Sequence, residues 1–536
     1  MIYDSPAKDT SQARSMVIAT GGIAATSQTL ASQAGAMTLA RGGSAVDAAI
    51  AANAVLGVVE PMMCGLGGDL FAIHRDAKTG KLTGINASGP APAALTLERV
   101  NFSVPGSGIH TVTVPGAVDG WWKMHARFGK LPWSDLFAPA IYYAERGFPV
   151  TELIQYDWEH TRDRLEEDES ALRLFEVPKT GEIFRNPDLA RAYCILAESG
   201  PRAFYEGELA AAILETSRRH GGTLSSADLS EFSSEWVEPI STTYRGWTVS
   251  EIPPNGQGIG TLEMLNILEN FPIPDLDPLS ADAFHFKIEA QKLAFEDQRR
   301  YIADPRFADV PIARLLSKDY ARERARHVHL TASGSEPIPS IAHGHTIYLS
   351  VADREGNLVS WIESISELWG SGVVVDGFGF HLHSRGAAFS SDPNHPNALA
   401  PRKRPYHTII PGFLQKDDQH IAFGIMRGMN QAQAQAQFVS NVVDHAMNIQ
   451  AALEAPRFSK ITLGGSDVRI ESRVPRETLE ELARRGHTLE IRGDYSGYMG
   501  GGQAILRDAK AQVNYGASSP RKDGAAIPEP DPYWSF

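Results

Sequence analysis

The chain has 536 residues, 43% of them apolar, which is enough for a large, layered globular protein. Its 64 acidic and 50 basic residues give a formal net charge of −14, which disfavours nucleic acid as a partner. Two cysteines exclude a disulfide framework, and no apolar run is long enough to span a membrane. Residues 1–16 lack the apolar core of a secretory signal, so the sequence predicts a cytoplasmic protein.

Two thin helices are predicted near the start of the chain. The first runs from Leu30 to Ala40 and ends at Gly42-Gly43, a typical stop signal. Ser44 caps the second, and Asp47 three residues later gives a near match to the capping box. Both helices are rich in alanine, and we expect them to pack closely against a sheet.

A glycine-rich loop at residues 65–68 follows and leads into a predicted hairpin that turns at Thr79-Gly80. The loop is not GxGxxG, and it precedes a strand, whereas a dinucleotide site needs a strand, a loop and then a helix. A Rossmann fold is therefore excluded.

Residues 130–330 are predicted to be mainly helical, with Ser280 capping one long helix. A loop rich in Gly, Ser and Pro then runs from Thr331 to His345 and is the best candidate for a break in the chain.

Beyond this loop the pattern changes to alternating strands. A hairpin turns at residues 354–356, and further strands are predicted within 372–384, 407–414, 420–426, 502–508 and 511–518. Helices are predicted around Gln433–Ala452 and from Pro475 to Gly486. Strands placed between flanking helices favour a layered α/β/β/α sandwich.

Several common chemistries lack their motifs. The sequence contains no GxSxG nucleophile elbow and no GxxxxGK[ST] phosphate loop. Histidines stand two residues apart at 327 and 329, at 343 and 345, and at 381 and 383. Without HExxH or paired CxxC, such pairs are expected to be solvated or hydrogen-bonded rather than to hold a metal.

Thr346 marks the boundary between the polar loop and the first of these strands. A threonine that opens a strand is ordinarily only a β-branched residue in its preferred place. If the chain is cut just before it, however, the freed α-amino group, which titrates near about 8, becomes a base within reach of the hydroxyl. A mobile segment before a rigid strand would permit such a cut.

Several stretches together resemble the γ-glutamyltranspeptidase family of self-processing, N-terminal-nucleophile hydrolases. The likeness covers nearly the whole chain and includes the threonine-led hairpin TIYLSVADREGNLVSW. The other stretches are residues 31–71, 260–269, 370–380, 403–411, 454–458 and 516–521.

The resemblance implies a four-layer αββα sandwich formed by both parts of a self-cleaved precursor. The cut would lie between His345 and Thr346, leaving a helix-rich large subunit (1–345) and a small subunit (346–536) that begins with the nucleophile. The two subunits would form a heterodimer, and a dimer of heterodimers is possible. No metal or organic cofactor is expected.

Departures from the family pattern concern the substrate. Ser88 stands where the family has its glutamate-binding arginine, and Arg385 and Ala388 replace the residues that hold the substrate's α-amino group. The site would thus lose an acidic partner and gain a cation, which favours binding of a substrate carboxylate over a substrate ammonium group. The alternative for Arg385 is an ordinary surface arginine.

The remaining site residues follow from the same resemblance. Ser364 corresponds to the second catalytic-side threonine and would assist the Thr346 amine, and the Gly428 N–H would stabilise the oxyanion. The positions expected to line the pocket are Ser366, His407, Thr408 and Arg427. Arg427 replaces the first glycine of a Gly-Gly pair, and the segment from Phe389 to Lys403 is too short for the family's lid.

This pattern resembles a divergent branch of the family that includes oxamate amidohydrolase of purine breakdown. The leading hypothesis is therefore an amidohydrolase acting on a small, carboxylate-bearing amide through an acyl-enzyme. Hydrolysis or transfer of γ-glutamyl compounds such as glutathione is the alternative within the family. An unprocessed, inactive homologue with a binding role is the alternative from another class.

Overall fold

The computed structural model describes residues 12–332, 344–460, 462 and 464–531. Most of the loop predicted as a break, residues 333–343 with His343, lies outside the described residues. The strands are β1 (Val17–Ala19), β2 (Ile23–Ala25), β3 (Asp69–Arg75), β4 (Leu82–Ala87), β5 (Phe148–Pro149), β6 (Ile183–Phe184), β7 (Glu235–Val237), β8 (Ile240–Tyr244), β9 (Trp247–Glu251), β10 (His345–Ala352), β11 (Leu358–Ser366), β12 (Gly412–Lys416), β13 (Gln419–Ile425), β14 (Phe458–Ser459), β15 (Asp467–Glu471), β16 (Thr488–Arg492), β17 (Gly502–Asp508), β18 (Val513–Ser518) and β19 (Ala526–Pro528).

The α-helices surround these strands, and their bounds in chain order follow. They are α1 (Thr29–Ala40), α2 (Ala45–Val59), α3 (Ala117–Phe128), α4 (Ala138–Arg146), α5 (Glu152–His160), α6 (Glu169–Leu174), α7 (Pro187–Ser199), α8 (Arg202–Tyr205), α9 (Glu208–Arg219), α10 (Ser226–Ser230), α11 (Gly258–Leu268), α12 (Ala281–Tyr301), α13 (Ile312–Leu315), α14 (Lys318–Ala325), α15 (Asn430–Val443), α16 (Ile449–Glu454) and α17 (Arg476–Arg484).

Two large antiparallel sheets form the centre of the protein. Within the described residues each has seven strands, in the orders β1-β18-β17-β13-β12-β9-β8 and β19-β2-β10-β11-β3-β4-β7. Their inner faces share one apolar core, in which Tyr348 and Ile362 of one sheet meet Phe413 and Ile505 of the other. Burying each such side chain stabilises the fold by roughly 1.5–3 kcal/mol.

Helices cover both outer faces and complete the four layers. The alanine-rich α2 packs on the β10–β11 sheet, where Val55 shares a buried cluster with Leu349 and Trp361. On the other side α11 and α15 pack on the second sheet, with Leu265 beside Phe423. The predicted αββα sandwich is confirmed.

The two sheets are in close contact near the start of β10. A Cβ added to Gly424 of β13 would lie 2.3 Å from the ring of Tyr348, so a glycine is required there. This contact fixes the position of β10 against the facing sheet two residues beyond Thr346.

Local signals predicted many of these elements correctly. The Ser44–Asp47 capping box at the start of α2 is present, with both reciprocal hydrogen bonds. Ser280 caps the long helix α12 through the N–H of Ala283. The two predicted hairpins are β3–β4 and β10–β11.

Other predictions need correction. Residues 372–384 form turns with an isolated bridge between Val374 and His381, because Gly377 and Gly379 adopt φ values of +71° and +60° that reverse the chain. The single helix predicted around Gln433–Ala452 is two helices, α15 and α16. The strands β7 to β9 interrupt a region predicted as helical.

Residues on both sides of position 345 contribute to both large sheets. In one sheet β10 pairs with β2 and with β11, and β11 pairs with β3. In the other, β12 pairs with β9, and β18 pairs with β1. The strand β19 also pairs with β2, so a cut before Thr346 would leave two pieces joined along five strand interfaces.

None of the helices in the described part of the chain combines the length and apolarity needed to cross a bilayer. The cytoplasmic location stays a prediction.

Candidate active site

Thr346 lies in an irregularity at the start of β10. His345 pairs with Ser366 of β11, but Ile347 pairs with Glu363, so the register shifts by one residue across Thr346. Such bulges re-aim a side chain and are common beside active sites. Thr346 is only 1% exposed.

The Thr346 hydroxyl lies in a short chain of hydrogen bonds. Its Oγ1 donates to Ser364 Oγ at 3.3 Å and accepts from Gln431 Nε2 at 3.3 Å. Ser364 Oγ in turn donates to the carbonyl oxygen of His345 at 2.6 Å and accepts from the Ser366 N–H at 2.8 Å. The carbonyl that precedes Thr346 is thus polarised by the hydroxyl that also contacts Thr346.

Arg385 is completely buried directly behind Ser364. Its Nη1 donates to Thr408 Oγ1 at 2.8 Å and its Nη2 to Ser364 Oγ at 3.2 Å. Among the described residues, no carboxylate pairs with it and its Nε has no hydrogen-bond partner. Burial lowers the pKa of Arg385 to about 10. The alternative of a surface arginine is wrong. The charges of Asp69 and Glu367 act against the effect of burial, but neither carboxylate is in ion-pair distance, and a buried cation without a direct partner favours an anionic ligand.

His407 is held by a carboxylate that the sequence did not single out. Its Nε2–H donates to Asp69 Oδ2 at 2.9 Å, while its Nδ1 accepts a long bond from the Ile409 N–H at 3.4 Å. Burial, with the charge of Arg385, lowers the pKa of His407 to about 3, so the ring is neutral. Although burial raises it, His383 and His407 hold the pKa of Asp69 below its ordinary value.

Ser88 belongs to a buried hydrogen-bond network that also holds the backbone of His407. Its Oγ donates to Asn86 Oδ1 at 2.7 Å and accepts from Asn255 Nδ2 at 3.2 Å, and the Asn255 carbonyl accepts the His407 N–H at 2.9 Å. The fully buried Ser88 hydroxyl contacts none of the other predicted site residues directly.

Gly428 lies against the residue before the predicted cleavage site. A Cβ on Gly344 would be 3.2 Å from Gly428 Cα and 3.6 Å from its nitrogen. The Gly428 carbonyl accepts from Gln257 Nε2 at 2.9 Å. Its buried N–H donates to no residue in the described ranges, and an unused donor of this kind suits an oxyanion.

Arg427 adopts a left-handed backbone conformation with φ +97°. Its guanidinium lies 4.4 Å from the centre of the Tyr498 ring and donates to the Gly497 carbonyl at 3.0 Å. The Arg427 side chain therefore lies along the 497–498 loop, and it does not cover the N–H of Gly428, which has no partner among the described residues.

A cavity of about 120 Å³ opens beside Thr346. Its walls include Met63, Tyr156, Arg427 and Lys522 as well as Thr346. None of the other predicted binding residues lines it. Those residues are Ser88, Ser366, Arg385, His407 and Thr408.

Five of the predicted site residues thus fall into two groups beside Thr346, whereas Ser88, His407 and Gly428 belong to neither. Ser364, Ser366, Arg385 and Thr408 form one connected set of hydrogen bonds. Arg427 belongs to the cavity. The sequence missed Gln431, Asp69 and Lys522, for which no motif stands out in the sequence alone.

The histidine pairs do not assemble into a metal site in the described residues. The His381 ring packs against Phe175 and Trp369, whereas His383 Nε2 lies 2.9 Å from the Thr113 carbonyl. The described group that could hold a metal is instead His285, Glu289 and His487, where Lys292 Nζ already donates to Glu289 at 2.6 Å.

Glu363, the neighbour of Ser364, points to the helical layer. Its protonation links the stability of the fold to pH. It accepts the Gly65 N–H at 2.8 Å, and burial raises its pKa to about 8. The fold therefore favours the protonated acid. The stabilisation of the folded state is complete below the pKa of about 4.3 that glutamate has in the unfolded chain. It is lost as the pH rises towards 8.

We expect Glu363→Gln to be more heat-stable than the parent protein, by a margin that grows between pH 5 and pH 8, because glutamine stays neutral. The growth corresponds to roughly 3–4 kcal/mol in the free energy of unfolding. Melting curves across this pH range measure it, with the exposed Glu166→Gln as the matched control. A margin independent of pH would contradict the protonated state of Glu363.

Comparison with known proteins agrees with this geometry. The sequence profile described as Gamma-glutamyltranspeptidase matches residues 31–529. The chain is 37% identical to the glutathione hydrolase-like YwrD proenzyme of Bacillus subtilis over 93% of this chain and 96% of that protein. It is 34% identical to the oxamate amidohydrolase proenzyme of Klebsiella pneumoniae over 95% and 98% of the two chains.

A solved structure matches the whole molecule. The crystal structure of cephalosporin acylase from Bacillus halodurans superposes with a TM-score of 0.91 and 42% sequence identity, covering 100% of both chains. The resemblance stated from sequence motifs is confirmed, and so is the prediction of an enzyme. The chain is a member of the γ-glutamyltranspeptidase family of N-terminal-nucleophile hydrolases.

Proposed function

We propose that the protein is a self-processing amidohydrolase that uses Thr346 to hydrolyse a small, carboxylate-bearing amide. The observation that carries this proposal is the contact of Ser364 Oγ with both Thr346 Oγ1 and the His345 carbonyl oxygen. The same hydroxyl reaches the nucleophile and the bond that the nucleophile would cut.

Self-cleavage would begin with attack of Thr346 Oγ on the His345 carbonyl carbon. The Ser364 hydroxyl, 2.6 Å from the carbonyl oxygen, stabilises the negative charge that develops there. The C–N bond breaks, the nitrogen of Thr346 takes a proton, and water hydrolyses the resulting ester. Residues 1–345 and 346–536 become the two subunits, which the shared sheets hold together.

Catalysis would repeat this chemistry on the substrate. The freed α-amino group of Thr346 takes the proton of its own hydroxyl as Oγ attacks the amide carbonyl. The Gly428 N–H stabilises the oxyanion, the amine leaves with a proton, and water releases the acid from the acyl-enzyme. Ser364 and Gln431 orient the hydroxyl through their 3.3 Å contacts.

Arg385 supports the preference for an acid. It is a buried cation without a carboxylate partner in the described chain, and it lies one hydroxyl away from the nucleophile. A carboxylate bound there would be close to the attacked carbonyl, as in oxamate-like amides. His407 is neutral and bound to Asp69. It would therefore help Thr408 to shape the space around the substrate carboxylate without adding a charge.

γ-Glutamyl compounds are the second candidate substrates, because the similar B. subtilis protein is named a glutathione hydrolase-like proenzyme. Ser88 and Ala388 make them less favoured. Compared with the family pattern, Ser88 replaces the arginine that binds glutamate, and Ala388 replaces an acidic residue that binds the α-amino group. An unprocessed binding protein is the remaining alternative.

Denaturing electrophoresis with N-terminal sequencing tests the proposal. We expect two bands, the smaller beginning at Thr346, and a single species under native conditions. The processed protein should release amine or ammonia from oxamate faster than from γ-glutamyl anilide. One persistent full-length band with no turnover of either amide would favour the binding protein, and the reverse substrate order would favour γ-glutamyl hydrolysis.

A further inference from the structure

Glu367 contacts the segment that precedes the predicted cleavage site. Its Oε1 accepts the N–H of Gly344, two residues before Thr346, at 2.9 Å. Gly344 is buried, and Glu367 is half-buried. A carboxylate that accepts a backbone N–H makes a charge-assisted hydrogen bond, roughly twice as strong as one between neutral groups. The chain just before β10 is thus held by a side chain to which the chemistry described above gives no role.

A strained turn after β11 fixes the position of Glu367. Ser366, the last residue of β11, adopts φ +80°, a conformation that residues other than glycine rarely take. The Ser366 N–H donates to Ser364 Oγ at 2.8 Å, and the Glu367 carbonyl accepts the Gly370 N–H at 2.8 Å. Such strain persists where the surrounding structure enforces it, which is common at functional sites. The main chain on both sides of Glu367 is therefore held in place.

Two contacts from this part of the chain hold the peptide that would be cut. Ser364 Oγ donates to the His345 carbonyl oxygen at 2.6 Å, and Glu367 binds the amide of Gly344. Gly344 also has little room on its other side, since a Cβ there would lie 3.2 Å from Gly428 Cα. The carbonyl that the nucleophile would attack is thus held at its own oxygen and again one residue earlier. Attack depends on such placement, because the reacting atoms must be aligned at about 3–3.5 Å.

The charge of Glu367 also acts on nearby cations, although its hydrogen bond goes to the segment. The guanidinium groups concerned are those of Arg164, Arg385 and Arg427. Among the described residues, the carboxylate lies within ion-pair distance of none of them. Asp69 acts on Arg385 as well. Asp157 does the same for Arg427, so these cations do not depend on Glu367 alone. The contact with the segment is the direct one.

We propose that Glu367 is a positioning residue for self-cleavage. By holding the Gly344 amide, it keeps the His345 carbonyl carbon aligned with Thr346 Oγ1 in the uncleaved chain. This inference rests on the proposed function and names a residue on which its first step depends. Glu367 makes and breaks no bond itself, since the attack forms the ester on Oγ1 and the displaced nitrogen of Thr346 takes the proton.

Three substitutions separate the hydrogen bond from the charge. Glu367→Gln keeps an oxygen acceptor at the same reach and removes the charge, whereas Glu367→Asp keeps the charge on a shorter side chain. Glu367→Ala removes both. We expect Glu367→Gln to process within about threefold of the parent rate, and Glu367→Asp and Glu367→Ala to be roughly tenfold slower or more, because a charge-assisted hydrogen bond is lost. Conversion of the newly translated full-length chain into two bands on denaturing gels, followed over time, measures the rate.

Hydroxylamine identifies the step that Glu367 affects. It cleaves the ester between the His345 acyl group and Thr346 Oγ1, taking the acyl group as a hydroxamate and restoring the hydroxyl. If Glu367 aligns the carbonyl for attack, ester formation is the slow step in Glu367→Ala. This variant should then stay roughly tenfold slower than the parent when both are treated. Equal rates under hydroxylamine would place the defect in ester hydrolysis and overturn the inference.

Glu167→Ala is the matched control. Glu167 also acts on Arg164, but its hydrogen bond comes from Ser107 Oγ at 2.5 Å and not from Gly344. This variant should process at the parent rate. Melting curves of all variants restrict the comparison to folded protein.

The outcomes separate the inference from the function on which it rests. Processing of Glu367→Ala at the parent rate would overturn the role of Glu367 and leave the amidohydrolase intact. Rescue by Glu367→Asp but not by Glu367→Gln would do the same, because charge and not the hydrogen bond would then decide the rate. Absence of cleavage in the parent protein would overturn the proposed function and this inference with it.

Discussion

Replacing Thr346 by alanine is expected to leave the 58.3 kDa chain in one piece and to abolish amide hydrolysis. The variant lacks the hydroxyl that would attack the His345 carbonyl, so the α-amino group is never freed. Loss of a nucleophile together with its base costs roughly 10⁴-fold or more in kcat. Denaturing electrophoresis and amine release measure the two effects on the same preparation.

Two further variants separate chemistry from packing. Ser350→Ala removes another buried hydroxyl from β10, one outside the hydrogen bonds of Thr346 and Ser364, and should leave processing and turnover unchanged. Thr346→Ser keeps a hydroxyl and should process, although more slowly, because serine lacks the β-branch that restricts χ1. Cleavage or turnover in Thr346→Ala would show that another residue is the nucleophile.

Replacing Arg385 by methionine is expected to lower kcat/KM for a carboxylate-bearing amide about 100-fold, mainly through KM. A neutral amide of the same size should lose far less. The variant should fold, because no ion pair is broken and a buried cation is replaced by a shorter, flexible apolar side chain. Steady-state kinetics with oxamate and a neutral amide, beside a melting curve, test both statements.

Arg385 also donates to Ser364, so a defect in processing has to be distinguished from one in substrate binding. Quantifying the fraction of processed chain, and referring kcat to that fraction, removes the first effect. Thr408→Val is the control, since it removes one hydrogen-bond acceptor of Arg385 but keeps the charge. Equal losses for charged and neutral amides in Arg385→Met would argue against an acid-binding role.

The two arginines illustrate how burial changes the meaning of a residue. Arg385 and Arg427 both depart from the family pattern, and the sequence does not report how deeply either side chain is buried. The structure places one completely inside the protein against two hydroxyls and the other on a cavity wall against an aromatic ring. Neither has an ion-pair partner in the described residues, and only Arg385 lies one hydroxyl away from the nucleophile.

Local signals determined several elements. The Ser44 cap, the Gly42-Gly43 stop and the strand alternation on both sides of residues 354–356 depend on neighbouring residues alone. Prediction failed at residues 372–384, where alternating apolar residues indicated a strand. There Gly377 and Gly379 reverse the chain, and a hydropathy pattern does not report a positive φ.

The sequence by itself determined the layered α/β fold, the family and Thr346 as the candidate nucleophile, because these depend on periodicity, capping residues and contiguous motifs. Only the tertiary structure brought Asp69 to His407 and Gln431 to Thr346, from positions 338 and 85 residues away. It also decided that Arg385 is buried and that a cavity lies beside Arg427. Contacts between distant strands and the exclusion of water from a side chain are properties of the packed sheets, which no local pattern contains.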